Sequence, residues 1–540
     1  MSAAPNTMLL AAILGLLNHI YFHRHPPANA TIPILVLIIQ PAFLLLLLPP
    51  PSLSTVLLTY TTFLVSLILS ITAYRLSPWH PLAHIPGPTI NKVTKLWGAW
   101  VVAGGKQHLA WKRLHDKYGD FVRTGPNEIS IVHFDAVKAI LGTGGFPKGE
   151  YYDPRRDPTL ASTSLLLLRG DAHASRRRIW NRGMSTEAIN EYEIILERRV
   201  MQLMDRLDGF CGTAVDIAGW FGYFAFDFMG DMAFGGGFDM MRDGGDKKGL
   251  WELIANGARN IVIVSQTPWL SSLIIKLPAA SRGYTRLRGF GATCAANRIK
   301  RGSETKDLWY HLTDEAGIEK TKPTHADVVS DGVLSVVAGS DTTAVALSCL
   351  VWFLLSHPDI YRRVQDEVGS VYPEGESTLD SSKHEELKLL AACLNETMRL
   401  QPPVLSNGTR QVPRGGGRVV AGRFIPEDTQ IYIPPYSLHR NEAYFSDPEK
   451  FDPDRWLRPP TDDSEWKHNT GAFIPFSYGA ANCVGKVLAW REMLMVASTL
   501  LRRYEMRFAQ GDETARWTDG LRDYFVTSMK GPLMVEMGRR

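Results

Sequence analysis

The sequence predicts a mainly α-helical protein with small β-sheets, an α+β chain whose globular part follows an N-terminal membrane anchor. Three observations carry that expectation. Residues 1–75 hold three apolar runs and little charge. Residues 324–355 are apolar nearly all round at their middle and read as one long buried helix. The strand candidates are few and short, and Gly and Pro turns bound them.

At 540 residues the chain can bury one large core or several small ones. Its net charge of +4 is too mild to imply a nucleic-acid partner. The five cysteines, Cys211, Cys294, Cys349, Cys393 and Cys483, are odd in number, scattered and free of any CxxC spacing. They argue against a disulfide framework or a zinc site and fit a reducing compartment. Cys349 and Cys393 lie in apolar helical runs and read as core.

The apolar runs cover residues 8–22, 32–48 and 55–74. The third meets the ~20 residues that a spanning helix needs. The second contains Gln40 and Pro41, and the first is marginal. No basic residue precedes the first run, unlike a cleaved signal peptide. Arg24 follows run one, and Arg75, Lys92 and Lys95 follow run three. The larger positive cluster places everything after run three on the cytosolic side. The expectation is an endoplasmic-reticulum anchor of one to three helices over residues 1–75, with any non-spanning run lying in the interface. His84-Ile85-Pro86-Gly87-Pro88 then forms a stiff elbow in a hinge over residues 76–90, and residues 91–540 form the globular domain.

Within that domain, residues 97–117 read as a helix. Residues 121–123 and 128–132 are strands joined by a Pro126-Asn127 turn. Residues 147–168, with Tyr151, Tyr152, Pro154 and Pro158, form an irregular connection of the kind that often carries function. His173 and Arg177 are four apart, hence on one helical face, and suit an anionic group. Arg176, Arg177 and Arg178 point several ways, so at least one is solvated. Residues 186–316 are mostly helical, with glycine interruptions at Gly235, Gly236, Gly237, Gly244 and Gly245. Neither a GxGxxG nor a P-loop occurs, so no nucleotide site is readable.

Thr324 and Asp327 cap the long helix, and His357-Pro358 ends it. Asp341 at mid-span makes a transmembrane reading costly. At its centre lie Ala338-Gly339-Ser340-Asp341-Thr342-Thr343. The small residues leave room for a cofactor, and an acid beside an alcohol is a candidate proton relay. In the helix over residues 384–400, Glu396 and Arg399 are spaced i,i+3 among apolar neighbours. A buried pair needs further partners, and Arg455 is the natural third member. Residues 418–421, 423–425 and 430–433 read as strands, and residues 524–528 with 533–537 as a terminal hairpin.

The stretch Phe476-Ser-Tyr-Gly-Ala-Ala-Asn-Cys-Val-Gly-Lys486 holds Cys483 in a glycine-rich loop just before an apolar helical run. Backbone N–H groups and the positive end of the helix dipole favour a thiolate there. Glycines let the backbone approach something flat and bulky, and one thiolate with open space opposite suits a haem iron.

The spacing Phe476-x-x-Gly479-x-x-x-Cys483-x-Gly485 resembles the cysteine loop of the cytochrome P450 family, the haem-thiolate monooxygenases. It departs at Ala481, where that pattern has a basic residue. The proline-rich hinge, the acid–threonine stretch and the ExxR segment with its PxRW-like partner match the family in its own order. The resemblance implies a P450-like fold binding haem b, with Cys483 as the iron ligand and Phe476, Gly479 and Gly485 as cofactor-binding residues of its loop. It implies that His173, Arg177 and Arg410 hold the propionates, that Asp341 and Thr342 are the catalytic acid–alcohol pair, and that Glu396, Arg399 and Arg455 lock the core. Tyr151, Ala338, Val404, Leu405 and Phe525 become substrate-pocket residues.

The activity so implied is insertion of one oxygen atom from dioxygen into a lipophilic small molecule, by hydroxylation or epoxidation. Electrons would come from NADPH through NADPH–cytochrome P450 reductase, with cytochrome b5 as a second candidate partner and Lys486 and Arg491 as basic docking points. The anchor and the C-terminal motifs are similar to fungal members, which often serve secondary metabolism or detoxification. Two rival readings stand beside this one: a haem-thiolate isomerase, dehydratase or peroxygenase, and a non-catalytic membrane haem protein.

Overall fold

The helix His325–Ser356 organises the molecule, and its sequence explains how it starts and where it sits. The Thr324 side chain accepts from the Asp327 N–H, and the Asp327 carboxylate accepts from the Thr324 N–H. Its apolar faces pack against the helices Ile217–Phe234, Lys388–Leu400 and Lys486–Arg503. In this computed structural model all residues are described except 1–2, 28–29, 47–51, 157–161, 237, 275–277, 303–304, 459–465 and 510–513. The end of the second apolar run, Pro158 and Gly237 therefore lie outside the described residues.

The N-terminal runs form the helices Ala3–Arg24, Thr31–Leu46 and Leu53–Leu76. The first and third pack closely, for a Cβ on Gly15 would sit 2.6 Å from the Phe63 carbonyl oxygen. Asn18 Nδ2 donates to Gln40 Oε1 at 2.5 Å, tying in the second helix. Of these helices, Leu53–Leu76 is long and apolar enough to cross a membrane; His325–Ser356 also is, but it is mostly buried as a core helix. The elbow docks onto the sheet: Arg123 N–H donates to the Pro86 carbonyl at 2.7 Å, and a Cβ on Gly87 would meet the Arg123 carbonyl oxygen at 2.4 Å.

The largest sheet has four strands. Phe121–Gly125 runs antiparallel to Glu128–Ile131, which runs parallel to Gln430–Tyr432, and Arg410–Gln411 closes the far edge. Glu128 sits opposite Gln430 and Ile129 opposite Ile431. The strands expected at residues 418–421 and 423–425 form a separate hairpin, Arg418–Val420 with Arg423–Ile425.

Three local expectations are corrected. The helix over residues 97–117 is two helices, Leu96–Ala103 and Gln107–Tyr118. They part at Gly104-Gly105, where Gly105 adopts φ +65°. The helix over residues 384–400 is a 3-10 turn, Ser381–Glu386, followed by Lys388–Leu400. The terminal hairpin pairs differently. Arg522–Tyr524 folds onto Val526–Ser528 about Phe525 at φ +75°, while Met534–Arg539 joins Tyr504–Phe508 and Ala214–Asp216. Period-2 alternation identifies strands but not their partners.

Candidate active site

Cys483 is fixed by its own loop. Its N–H donates to the Phe476 carbonyl at 2.9 Å, and the Asn482 N–H donates to the Gly479 carbonyl at 3.1 Å. Gly479 has φ +72°, and a Cβ there would lie 2.0 Å from the Leu141 carbonyl oxygen, so only glycine fits. Gly479 thus packs the loop against its neighbour and does not line the cavity, whereas Phe476, Cys483 and Gly485 do. Gly485 opens the helix Lys486–Arg503.

That cavity measures about 310 Å³. Leu334, Ala338, Gly339, Thr342, Val404 and Phe525 share its wall with Cys483. Thr342 Oγ1 donates to the Ala338 carbonyl at 2.7 Å, bonding within its own helix. A Cβ on Gly339 would come within 2.6 Å of Met229 Sδ, so the close approach is built in. Two expected pocket residues are absent from the wall. Leu405 is fully buried, and the Leu405 carbonyl accepts from the Tyr436 N–H at 3.0 Å. Tyr151 lies behind Phe525, with ring centroids 6.1 Å apart, and Tyr152 reaches the cavity in its place. Asp341 is also absent: it opens onto a different cavity. Consecutive residues on an α-helix point about 100° apart, so an acid–alcohol pair adjacent in sequence need not share one face.

The electrostatics of the cavity are one-sided. Lys148, His173, Arg177 and Arg410 line it. Arg177 donates to Asn482 O at 2.6 Å and Asn482 Oδ1 at 2.7 Å, and Arg410 donates to the Phe146 carbonyl at 3.3 Å. Lys148 Nζ reaches only backbone carbonyls, among them Leu166 O at 2.7 Å. Burial, then the neighbouring arginines, lowers Lys148 to about 7, and burial with Lys148 and Arg177 nearby lowers His173 to about 4. Among the described residues Glu492 is the sole acid on this wall, and burial pushes it up to about 8, which keeps it neutral at pH 7. Among the described residues the cations of this wall therefore have no ionised counter-anion on it, an arrangement that fits a cofactor carrying carboxylates. Ala481 also lines the wall, so the missing basic residue leaves a gap beside Arg177 rather than a substitute contact.

Burial pushes the Cys483 thiol up, and the Gly485 N–H, Arg177 and Lys486 pull it back only in part. The loop dipole alone does not yield the expected thiolate. A bound metal cation would, since coordination deprotonates a thiol.

Behind the loop, Glu396, Arg399 and Arg455 are brought together as expected. Arg399 Nε and Nη2 donate to the Glu396 carboxylate at 2.8 and 2.9 Å, and Arg455 Nε donates to Glu396 Oε1 at 2.9 Å. Trp456 Nε1 at 3.0 Å and the Asp452 N–H at 2.9 Å complete the carboxylate's acceptors. Burial pushes the Glu396 carboxyl up, but Arg399 and Arg455 outweigh it and hold it below the usual range. Arg399 also donates to the His439 and Pro448 carbonyls, at 2.9 and 2.6 Å, fastening the segment that leads to the cysteine loop.

The sequence analysis missed Lys148 and Glu492, because each looks ordinary in its own segment. It also missed the bridge from Arg176 to Asp331 at 2.9 Å, which Trp180 Nε1 shares at 2.9 Å. Arg178 is the solvated member of its run. Arg491 is not free for docking, since it pairs with Glu193 at 3.0 Å; Lys486 is exposed.

The cytochrome P450 family model matches residues 86–531. The chain belongs to the cytochrome P450 family. Relatives from fungi include several named as monooxygenases. Cytochrome P450 67 of Uromyces fabae is 33% identical over 481 residues, covering 86% of this chain and 88% of the relative. Cytochrome P450 monooxygenase phqL of Penicillium fellutanum is 32% identical over 540 residues, covering 96% and 92%. Tryprostatin B 6-hydroxylase of Aspergillus fumigatus is 30% identical over 474 residues, covering 87% and 83%. This P450 is accordingly a haem monooxygenase by family.

Proposed function

We propose that this P450 inserts one oxygen atom from dioxygen into a lipophilic small molecule, by hydroxylation or epoxidation. The observation that supports it most is that Cys483 and Thr342 open onto one cavity whose remaining wall is largely apolar and whose cations lack protein counter-anions. Haem b, once bound, supplies the redox chemistry of oxygen activation. Cys483 would ligate its iron, and His173, Arg177, Arg410 and Lys148 would face its propionates.

The chain's own contribution is positioning and proton supply. Leu334, Val404 and Phe525 hold an apolar substrate and exclude water. Thr342 presents a hydroxyl inside the cavity. Asp341 stands one residue earlier on the helix at the second cavity, and burial lifts it to about 7, so it exchanges protons near neutral pH. Together they form a relay across the helix wall.

Electrons come from NADPH through NADPH–cytochrome P450 reductase, with cytochrome b5 as a second donor and Lys486 as a docking charge. The N-terminal helices serve as an endoplasmic-reticulum anchor that leaves the catalytic domain in the cytosol. The relative named for hydroxylating tryprostatin B supports a role in fungal secondary metabolism.

The deciding experiment is the reduced, carbon-monoxide difference spectrum of the membrane-bound protein beside a Cys483→Ser control. A thiolate-type Soret band lost in the control is expected. A histidine-type band, or none from folded protein, would overturn the reading. Turnover that needs NADPH and reductase separates a monooxygenase from an isomerase or peroxygenase.

A further inference from the structure

Next to the cysteine cavity lies another of about 410 Å³. Its wall comes from the segment around Asp246 and the helix Leu250–Ser265, from Asp341 and Val345 on the central helix, and from Tyr524, Val526, Thr527, Ser528 and Met529. Val526 lines both cavities and so separates them.

The second cavity carries charge of one sign. Asp246, Glu252 and Asp341 line it, and among the described residues no Lys, Arg or His does. The acids are not satisfied internally. Asp246 Oδ2 accepts from the Trp251 N–H at 2.6 Å, but Asp246 Oδ1 is buried without a partner. Asp341 is partly buried on the central helix, and burial is what raises its pKa. Trp251 and Tyr524 add aromatic surface, and Ala255, Ala258, Val345 and Met529 make the rest mainly apolar.

We propose that this outer cavity is a subsite for a positively charged nitrogen, and that the substrate is an apolar molecule bearing a basic amine. The inference rests on the monooxygenase reading and narrows its substrate class. An acidic wall with aromatic faces suits an organic ammonium, which gains from both carboxylates and ring faces. A metal ion fits less well, because it demands converging oxygen ligands, and no cluster among the described residues is disposed to hold one. Val526 separates the ammonium end from the haem-side cavity, so the apolar body of the molecule would extend past it toward Thr342.

The test uses the full-length, haem-loaded protein and two probes of one shape. One is the (4-phenylbutyl)trimethylammonium cation, whose quaternary nitrogen cannot ligate iron. The other is its neutral tert-butyl isostere. Calorimetric titration should show the cation binding roughly tenfold tighter or better. Asp246→Asn with Glu252→Gln should abolish that preference while leaving affinity for the neutral isostere unchanged. Neither residue belongs to the proposed proton relay. Equal binding of the two probes, or a preference that survives the double variant, would overturn the inference. If the double variant folds poorly, Glu252→Gln alone, at an exposed position, must weaken the preference at least threefold or the inference fails. The carbon-monoxide spectrum of the same samples reports independently on the haem-thiolate centre, so failure of the subsite and failure of the monooxygenase reading are distinguishable.

Discussion

Asp341 and Thr342 are neighbours in sequence and open onto different cavities, the alcohol onto the one that holds Cys483 and the acid onto the one beyond Val526. In the proposed relay, the helix between them is the barrier that protons cross. Substituting the two residues should therefore have different consequences. Asp341→Asn should lower kcat by roughly 10²-fold with an enlarged solvent isotope effect, because it removes the general acid. Thr342→Ala should spare NADPH consumption and divert it to peroxide, because it removes the hydroxyl at the reacting end. Stoichiometry of NADPH, product and peroxide checks both.

Haem retention should depend on the cations that lack a protein carboxylate as counter-anion. Arg177→Ala combined with Arg410→Ala should speed transfer of haem to excess apomyoglobin roughly tenfold or more, since charge-assisted bonds to carboxylates are lost. An unchanged transfer rate would show that neither arginine holds a propionate. Ala481→Arg should slow transfer by filling the gap beside Arg177.

Glu396 is surrounded by Arg399 and Arg455 with negligible exposure. Glu396→Ala leaves two buried guanidinium groups without their counter-anion and should cost about 3–5 kcal/mol. Reduced soluble yield and a lowered thermal midpoint are the readouts. The conservative Glu396→Gln should be nearly as damaging, because a neutral amide cannot balance two cations.

Gly479→Ala should also be severe, although it adds a single carbon. The position has φ +72° and no room beside the Leu141 carbonyl. A loss of about 2 kcal/mol or more, read by denaturant titration, is expected, with haem content falling in parallel.

Glu492 supplies a pH signature. Burial raises its folded pKa to about 8 from an ordinary carboxylate value of 4.5. Between those values the folded protein holds a proton that the unfolded chain has released, so stability falls as pH rises. The histidines lowered by burial titrate below their usual value near 6.5, and Lys148, lowered to about 7, acts in the opposite sense above that pH, so the wild-type change from about 6.5 to 8.5 sums Glu492, Asp341 and Lys148 and only the difference between wild type and variant isolates Glu492. Glu492→Gln should abolish about 2 kcal/mol of the stability lost across that window. Denaturant titrations of wild type and variant at both pH values test it.

Much of this was legible in the sequence. The capped central helix, the cysteine loop and the Glu396–Arg399–Arg455 cluster were read from residue types at short spacings. Each is a local feature, or one whose buried charge allows few partners. The apolar runs of the N-terminus likewise dictated helices through length and composition.

Tertiary structure decided the rest, because it depends on which surfaces meet. The partner of the last strand, the place of Tyr152 where Tyr151 was expected, and the turning of Leu405 into the core follow from packing between segments far apart in sequence. So does the balance at Cys483, where burial raises the thiol more than the loop's dipoles lower it. The separation of Asp341 from Thr342 is the plainest case. A one-residue step rotates a helical side chain by about 100°, and only the surrounding helices and strands determine what each side chain then faces.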